Sequence, residues 1–224
     1  MRLGWKGHGL GTAWCRFKQG KPQLMRFRAH VTAVLACVVL GGCVGTTIPP
    51  ATFDLRPPKV MTVTAPQPAR FQLVVNEPTA VRSLGTNRIL VKPDPEQVTY
   101  YKGAAWSDQL PRLVQARMVQ AFQNAGLVRA VGSRADRLDA DLELASQLNA
   151  FQVEINQGDA TAHVSLYVKV IDGQRGRMVA SRAFETRVPT SYNNATVMVA
   201  SLNEAFDDVM RDVVPWVSSV KRPQ

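Results

Sequence analysis

Leu138-Asp139-Ala140-Asp141-Leu142-Glu143-Leu144-Ala145-Ser146-Gln147-Leu148-Asn149-Ala150-Phe151-Gln152-Val153-Glu154-Ile155 is the stretch that decides the fold. Its apolar side chains sit on even numbers from Leu138 to Leu148 and on odd numbers from Phe151 to Ile155. A strand turns successive side chains to opposite faces, so this is a strand pattern with a change of phase. Both halves can bury their apolar set on one face only if an extra residue intervenes. The pattern therefore predicts a β-bulge near Asn149-Ala150, with Leu148 and Phe151 both facing the core.

Downstream the pattern continues as a meander. Asn156-Gln157-Gly158-Asp159 reads as a turn, and Ala162, Val164, Leu166, Val168 and Val170 form the next strand. Asp172-Gly173 opens a second hairpin turn, and Met178, Ala180, Phe184, Thr186 and Val188 return the chain. A helix is expected from about Asn194, with Met198, Leu202, Ala205, Phe206, Val209, Val213, Trp216 and Val217 on one stripe. Pro215 is expected to bend or end it.

Upstream, residues 70–75 and 88–91 read as strands, and Tyr100-Tyr101-Lys102-Gly103 as a turn. Trp106, Leu110, Leu113, Val114, Met118, Ala121 and Phe122 recur at helical spacing, with Pro111 in the first turn and Gly126 as the C-cap. Residues 127–131 then form a strand, which makes 88–91, the helix and 127–131 a right-handed β-α-β unit. The fold class expected is α/β, with α+β as the alternative: a mixed sheet of about five or six strands carrying two amphipathic helices.

The beginning of the chain fixes the compartment. Val31 to Leu40 is an apolar run behind Met25-Arg26-Phe27-Arg28, and it ends in Leu40-Gly41-Gly42-Cys43. A basic region, a short apolar run and small residues before a cut site make a secretory signal, too short to span a bilayer. The cysteine at that point matches a bacterial lipobox, so 1–42 is expected to be a signal peptide and Cys43 the lipid-bearing first residue. Residues 1–24 are basic and lack acids, which makes Met25 a candidate start. Most of the net charge of +10 belongs to this leader. Seven of the 27 Lys and Arg precede Cys43, so 20 bases face 17 acids in the mature chain. That balance gives no footprint for nucleic acid. Cys15 and Cys37 also precede Cys43, so no disulfide is expected in the mature chain.

Residues 43–68 are rich in Thr, Pro and Ala and read as a tether. Thr52-Phe53-Asp54-Leu55 interrupts it as a short strand or docking segment. Residues 69–220 are expected to form one domain.

Catalytic motifs are missing from this sequence. There is no G-x-x-x-x-G-K-[ST], no G-x-S-x-G and no C-x-x-C pair. His163, the one histidine after Cys43, lies on the odd face of its strand and is expected at a surface or edge. Asp139, Asp141 and Glu143 share the solvated side of a half-buried strand. A hydrolase using them would need the three to converge in a cleft with raised pKa values. Arg175, Arg177, Arg182 and Arg187 lie in one hairpin and are candidates for an acidic partner or anionic lipid headgroups. Phe53 and Leu55 are candidates for docking by strand addition.

The order of lipobox, Pro-rich tether, Phe53-Asp54-Leu55, Ile89-Leu90-Val91-Lys92-Pro93, Tyr100-Tyr101, Trp106, Leu110-Pro111, Asn149-Ala150-Phe151 and Val214-Pro215-Trp216-Val217 resembles the ABC-type transport auxiliary lipoprotein family, which includes the PqiC-like and YmbA-like lipoproteins. The tether departs from the family's usual Tyr-rich opening. The resemblance implies a non-catalytic lipoprotein working with an ABC permease, its ATPase and an MCE-domain protein that carries lipid between the inner and outer membranes. It implies no cofactor beyond the lipid on Cys43, and leaves a homo-oligomer open. Val44 is not the Asp that holds enterobacterial-type lipoproteins in the inner membrane. The expected location is the outer membrane, facing the periplasm.

Overall fold

The computed structural model describes residues 49–57 and 69–221. The signal peptide, Cys43 and the tether from 58 to 68 lie outside the described residues. The strands in chain order are β1 (Ala51–Phe53), β2 (Ala69–Val75), β3 (Thr79–Ala80), β4 (Arg88–Lys92), β5 (Thr99–Trp106), β6 (Val128–Ser133), β7 (Leu142–Asn156), β8 (Asp159–Asp172) and β9 (Met178–Thr190). Two helices interrupt them, α1 (Leu110–Ala125) before β6 and α2 (Ala195–Ser219) after β9.

The long strand β7 is the spine of a nine-stranded mixed sheet. One side of it pairs antiparallel with β8 over its whole length, from Leu142 opposite Asp172 to Asn156 opposite Asp159. The other side takes three parallel partners in succession: β2 at Leu142–Leu144, β3 at Gln147–Leu148 and β4 at Gln152–Glu154. The chain from Ala69 to Lys92 thus runs once along β7 in pieces. From these pieces β2 adds β6 in parallel, β4 adds β5 antiparallel, and β5 adds β1 in parallel. On the far side β8 adds β9.

The bulge is where the pattern places it. Leu148 pairs with Leu166 and Ala150 with Ser165, so Asn149 is the extra residue. Leu148 and Phe151 are both buried. The turn into β8 has Gln157 at φ 51° and Gly158 at φ 95°. Two positive values in a two-residue loop match the twist of a hairpin, and glycine tolerates the second without strain. Asp172 shapes the next turn by accepting the backbone N–H groups of Gln174 and Arg175. Those donors, with the Arg175 guanidinium, hold its carboxyl below the usual range against the effect of burial.

Both helical stripes enter one core. α2 is capped by Asn194, whose side chain accepts from the N–H groups of Thr196 and Val197. Its buried stripe runs from Met198 to Val217 and packs on β8 and β9. α1 ends at Gly126 in the left-handed conformation, as expected. Its buried stripe, Leu110 to Phe122, packs on β6 and β2.

Several details differ from the sequence reading. The sheet has more strands than expected, because β1 and β3 are too short to carry a period-two pattern. Thr99–Trp106 is strand β5, not a turn, and Trp106 closes it in place of joining the α1 stripe. The parallel partner of β6 is β2, with β5 standing between β4 and the helix. Residues Leu138 and Ala140 precede β7. Met178 is 58 % exposed. A register shift after Val170 sets it opposite Ile171 and turns it off the core face. α2 runs past Pro215 to Ser219.

Candidate functional site

The segment after the expected anchor is built into the domain. Ala51, Thr52 and Phe53 pair with Ala104, Ala105 and Trp106. Leu55 is 0 % exposed, inside the core. Polar contacts fasten the same segment. The Ser107 N–H donates to the Phe53 carbonyl at 2.7 Å, and the Arg117 Nε donates to the Leu55 carbonyl at 2.5 Å. The Arg117 guanidinium also pairs with Asp54 at 2.7 Å. The Arg56 N–H donates at 2.6 Å to Asn203 Oδ1, and Asn203 in turn donates to the Val199 carbonyl. A buried side-chain amide satisfied on both ends is costly to disturb. Phe53 and Leu55, proposed from sequence as a free docking strand, are therefore used by the domain's own sheet and core.

The four arginines do not form one patch. Strand alternation puts Arg182, an even position, on the helix side of β9 and Arg187, an odd one, on the opposite face. Arg175 pairs with Asp172 in the turn and Arg177 precedes the strand. Arg187 pairs with Glu185. Arg182 lies over the Phe184 ring at 5.1 Å, and Phe184 meets Trp216 edge-on at 5.3 Å. An open groove of about 480 Å³ runs there, lined by Arg182, Arg211, Asp212, Pro215, Trp216 and Ser219.

On the outer face, across β7, β8 and β9, Gln152, His163 and Arg187 stand side by side. His163 is 8 % exposed, against the expectation of a surface residue. Its Nδ1 lies 2.8 Å from Glu154 Oε1 and its Nε2 lies 3.4 Å from Glu185 Oε1. Flanking strands on both sides bury it, which the residue's own strand does not reveal. Burial pushes the Glu154 carboxyl up, but hydrogen bonds from His163 and Gln152 and the charges of His163 and Arg187 outweigh it. The carboxyl sits below the usual range. Ionised Glu154 thus stabilises the fold above the ordinary glutamate pKa of about 4.3, and this is lost as pH falls through its lowered value. Glu154→Gln is expected to flatten the fall in Tm between about pH 5 and pH 3. Parallel melting curves for variant and parent would contradict it.

The acidic run is consumed locally. Asp141 accepts the Gln72 N–H at 2.9 Å. Glu143 accepts from Asn76 and pairs with Arg134 at 2.7 Å. Asp141 and Glu143 are thus spent on holding β2 and the turn before β7. Among the described residues no three His, Cys, Asp or Glu are placed to hold a metal ion. No described helix is long and apolar enough to cross a membrane.

With this geometry in place, comparison with known proteins decides the family. The model of the ABC-type transport auxiliary lipoprotein component matches residues 53–214. The chain belongs to this family. The match begins at the last residue of β1 and ends within α2, so it takes in the eight strands from β2 to β9 whole. The crystal structure of protein XCC0632 from Xanthomonas campestris is similar, with a TM-score of 0.66 and 26 % identity over 75 % of this chain and 95 % of that one. A second solved structure, of an uncharacterized protein, has a TM-score of 0.59 at 13 % identity, over 76 % of this chain and 99 % of that one. This second likeness concerns the fold. An uncharacterized protein of Bradyrhizobium diazoefficiens, bll6063, is 28 % identical over 202 residues. The match covers 89 % of this chain and 53 % of that protein, so the chain spans about half the length of that curated relative. As a transport auxiliary lipoprotein, this chain is of a membrane-anchored envelope class.

Proposed function

We propose that this chain is the non-catalytic, lipid-anchored outer-membrane subunit of an ABC-type lipid transport system. In this reading Cys43 carries the lipid and the domain faces the periplasm. An MCE-domain protein links it to the ABC permease and ATPase in the inner membrane, and the assembly supports envelope integrity. The observation that carries the reading is the family match over 53–214, which spans the described domain. Two features support it. Asp141, Glu143 and His163 are engaged by structural partners, and the chain from 51 to 57 is fastened to the domain soon after Cys43.

Cys43→Ala is expected to leave the protein unacylated and to release it from the membrane fraction. Acylated Cys43→Ala protein still sedimenting with outer membranes would overturn the anchor. Purification of the tagged parent from detergent-solubilised envelopes is expected to bring down an MCE-domain protein. Its absence, with the permease and ATPase also missing, would overturn the transport reading.

A further inference from the structure

The β9 strand is the sheet's last on its side. It pairs with β8 alone, so its other edge carries free backbone donors and acceptors among the described residues. Such an edge is a template for another strand. Pro189 and α2 close one end of it: the Ser201 hydroxyl donates to the Pro189 carbonyl. The open part runs from about Val179 to Arg187 and borders the groove beside the last turns of α2.

We propose that this edge and groove bind an extended, acidic segment of another polypeptide, which adds to β9 as a tenth strand. Alternation then places every second side chain of the guest on the helix side, above Pro215 and Trp216 and beside Arg182. The chemistry of that wall selects the guest. Trp216 and Pro215 offer a partly exposed apolar surface that is continuous with Phe184. Arg211 is paired with Asp208 at 2.9 Å, and Asp212 also lines the groove. Among the described residues Arg182 has no carboxylate partner, and its guanidinium is held on an aromatic ring. A carboxylate on the guest, one position from an apolar residue on the same face, would meet Arg182 in the charge-assisted geometry that guanidinium favours.

A second copy of this chain does not supply that group. When two β9 edges pair antiparallel about a two-fold axis, helix-side residues face helix-side residues. In the open part these are Ala180, Arg182, Phe184 and Thr186, none of them acidic. Glu185 is on the other face. Self-pairing would leave Arg182 opposite Arg182, Phe184 or another neutral residue, whereas a different acidic strand satisfies it. This deepens the proposed function only in saying where a polypeptide partner docks.

The test uses the soluble chain from residue 44 onward and a labelled ten-residue peptide in which threonine alternates with phenylalanine and glutamate. Fluorescence anisotropy is expected to show saturable binding. Arg182→Glu should weaken it at least tenfold, Arg182→Lys should restore part of it, and both variants should melt like the parent. Replacing glutamate by lysine in the peptide, or N-methylating its threonines, should abolish binding. Absent binding, or binding indifferent to Arg182→Glu or to N-methylation, would overturn the proposal. So would concentration-dependent self-association lost in Arg182→Glu, which points to a second copy. Binding to phosphatidylglycerol vesicles in place of the peptide would assign the arginine to a membrane surface. None of these outcomes bears on Cys43 or on co-purification with transport components, so the two readings fail separately.

Discussion

Phe151→Ala is expected to destabilise the domain by about 3–5 kcal/mol, the range for deleting a buried aromatic side chain. Phe151 is 1 % exposed. Its ring meets Trp106 of β5 edge-on at 5.8 Å and Phe206 of α2 at 6.0 Å. The ring therefore joins the spine strand to an outlying strand and to the C-terminal helix. Phe151 and Trp106 are held in one hydrogen-bonded sheet and Phe206 in the backbone of α2, so the sheet and the helix cannot close fully over the space an alanine leaves. Incomplete collapse puts the cost in the upper part of the range. Urea unfolding followed by far-UV circular dichroism measures it. A change below about 1 kcal/mol would mean that Phe151 does not hold these elements together. Deleting Asn149 is the stronger form of the same test. Without the extra residue one half of β7 presents its apolar set to the wrong face.

What the sequence discloses is what short-range rules encode. The change of phase between Leu148 and Phe151, the helix start at Asn194, the Gly126 terminus and the Gln157-Gly158 turn each depend on a few adjacent residues. All appear in the structure. β1, β3 and β5 depend on partners far along the chain, and two of them are two or three residues long. Leu55 is one apolar residue in a Pro-rich setting, so composition reads it as tether. Its burial is decided by Arg117 and Asn203, which lie 62 and 147 residues away from their contacts. Trp106 falls at helical spacing from Leu110 by coincidence. The arginines were separable in principle, since 182 and 187 differ in parity along one strand. His163 was not, because Glu154 and Glu185 belong to strands on either side of it.

Leu55→Ala is expected to cost about 2–5 kcal/mol if the segment from 51 to 57 stays in place, as for other buried leucines. The segment has a second way to respond. It is joined to β2 by the chain from 58 to 68, so it can leave the domain while the rest remains folded, and the loss is then limited to the free energy of undocking. The two responses differ in a measurable way. Global destabilisation shifts the unfolding midpoint alone, whereas undocking also lowers the denaturant slope, because less surface remains to be exposed. Arg117→Ala separates the polar clasp from the apolar plug. It removes the bond to the Leu55 carbonyl and the pair with Asp54 while leaving Phe53 and Leu55 intact as thermolysin sites. Faster cleavage at Phe53 and Leu55 under native conditions is the expected result, and an unchanged rate would show that Arg117 is not what closes the clasp. The clasp also sets reach. With it closed, seven residues lie between Cys43 and β1, so eight residue steps span at most about 28 Å of chain, and with it open the chain to Ala69 spans at most about 90 Å. In the proposed reading, in which Cys43 is the anchor, Leu55, Arg117 and Asn203 and not the length of the Pro-rich segment would set how far the domain reaches from its membrane. Opening the clasp with Arg117→Ala in membrane-bound protein should therefore raise protease access to the anchor-proximal chain without changing its sedimentation with membranes.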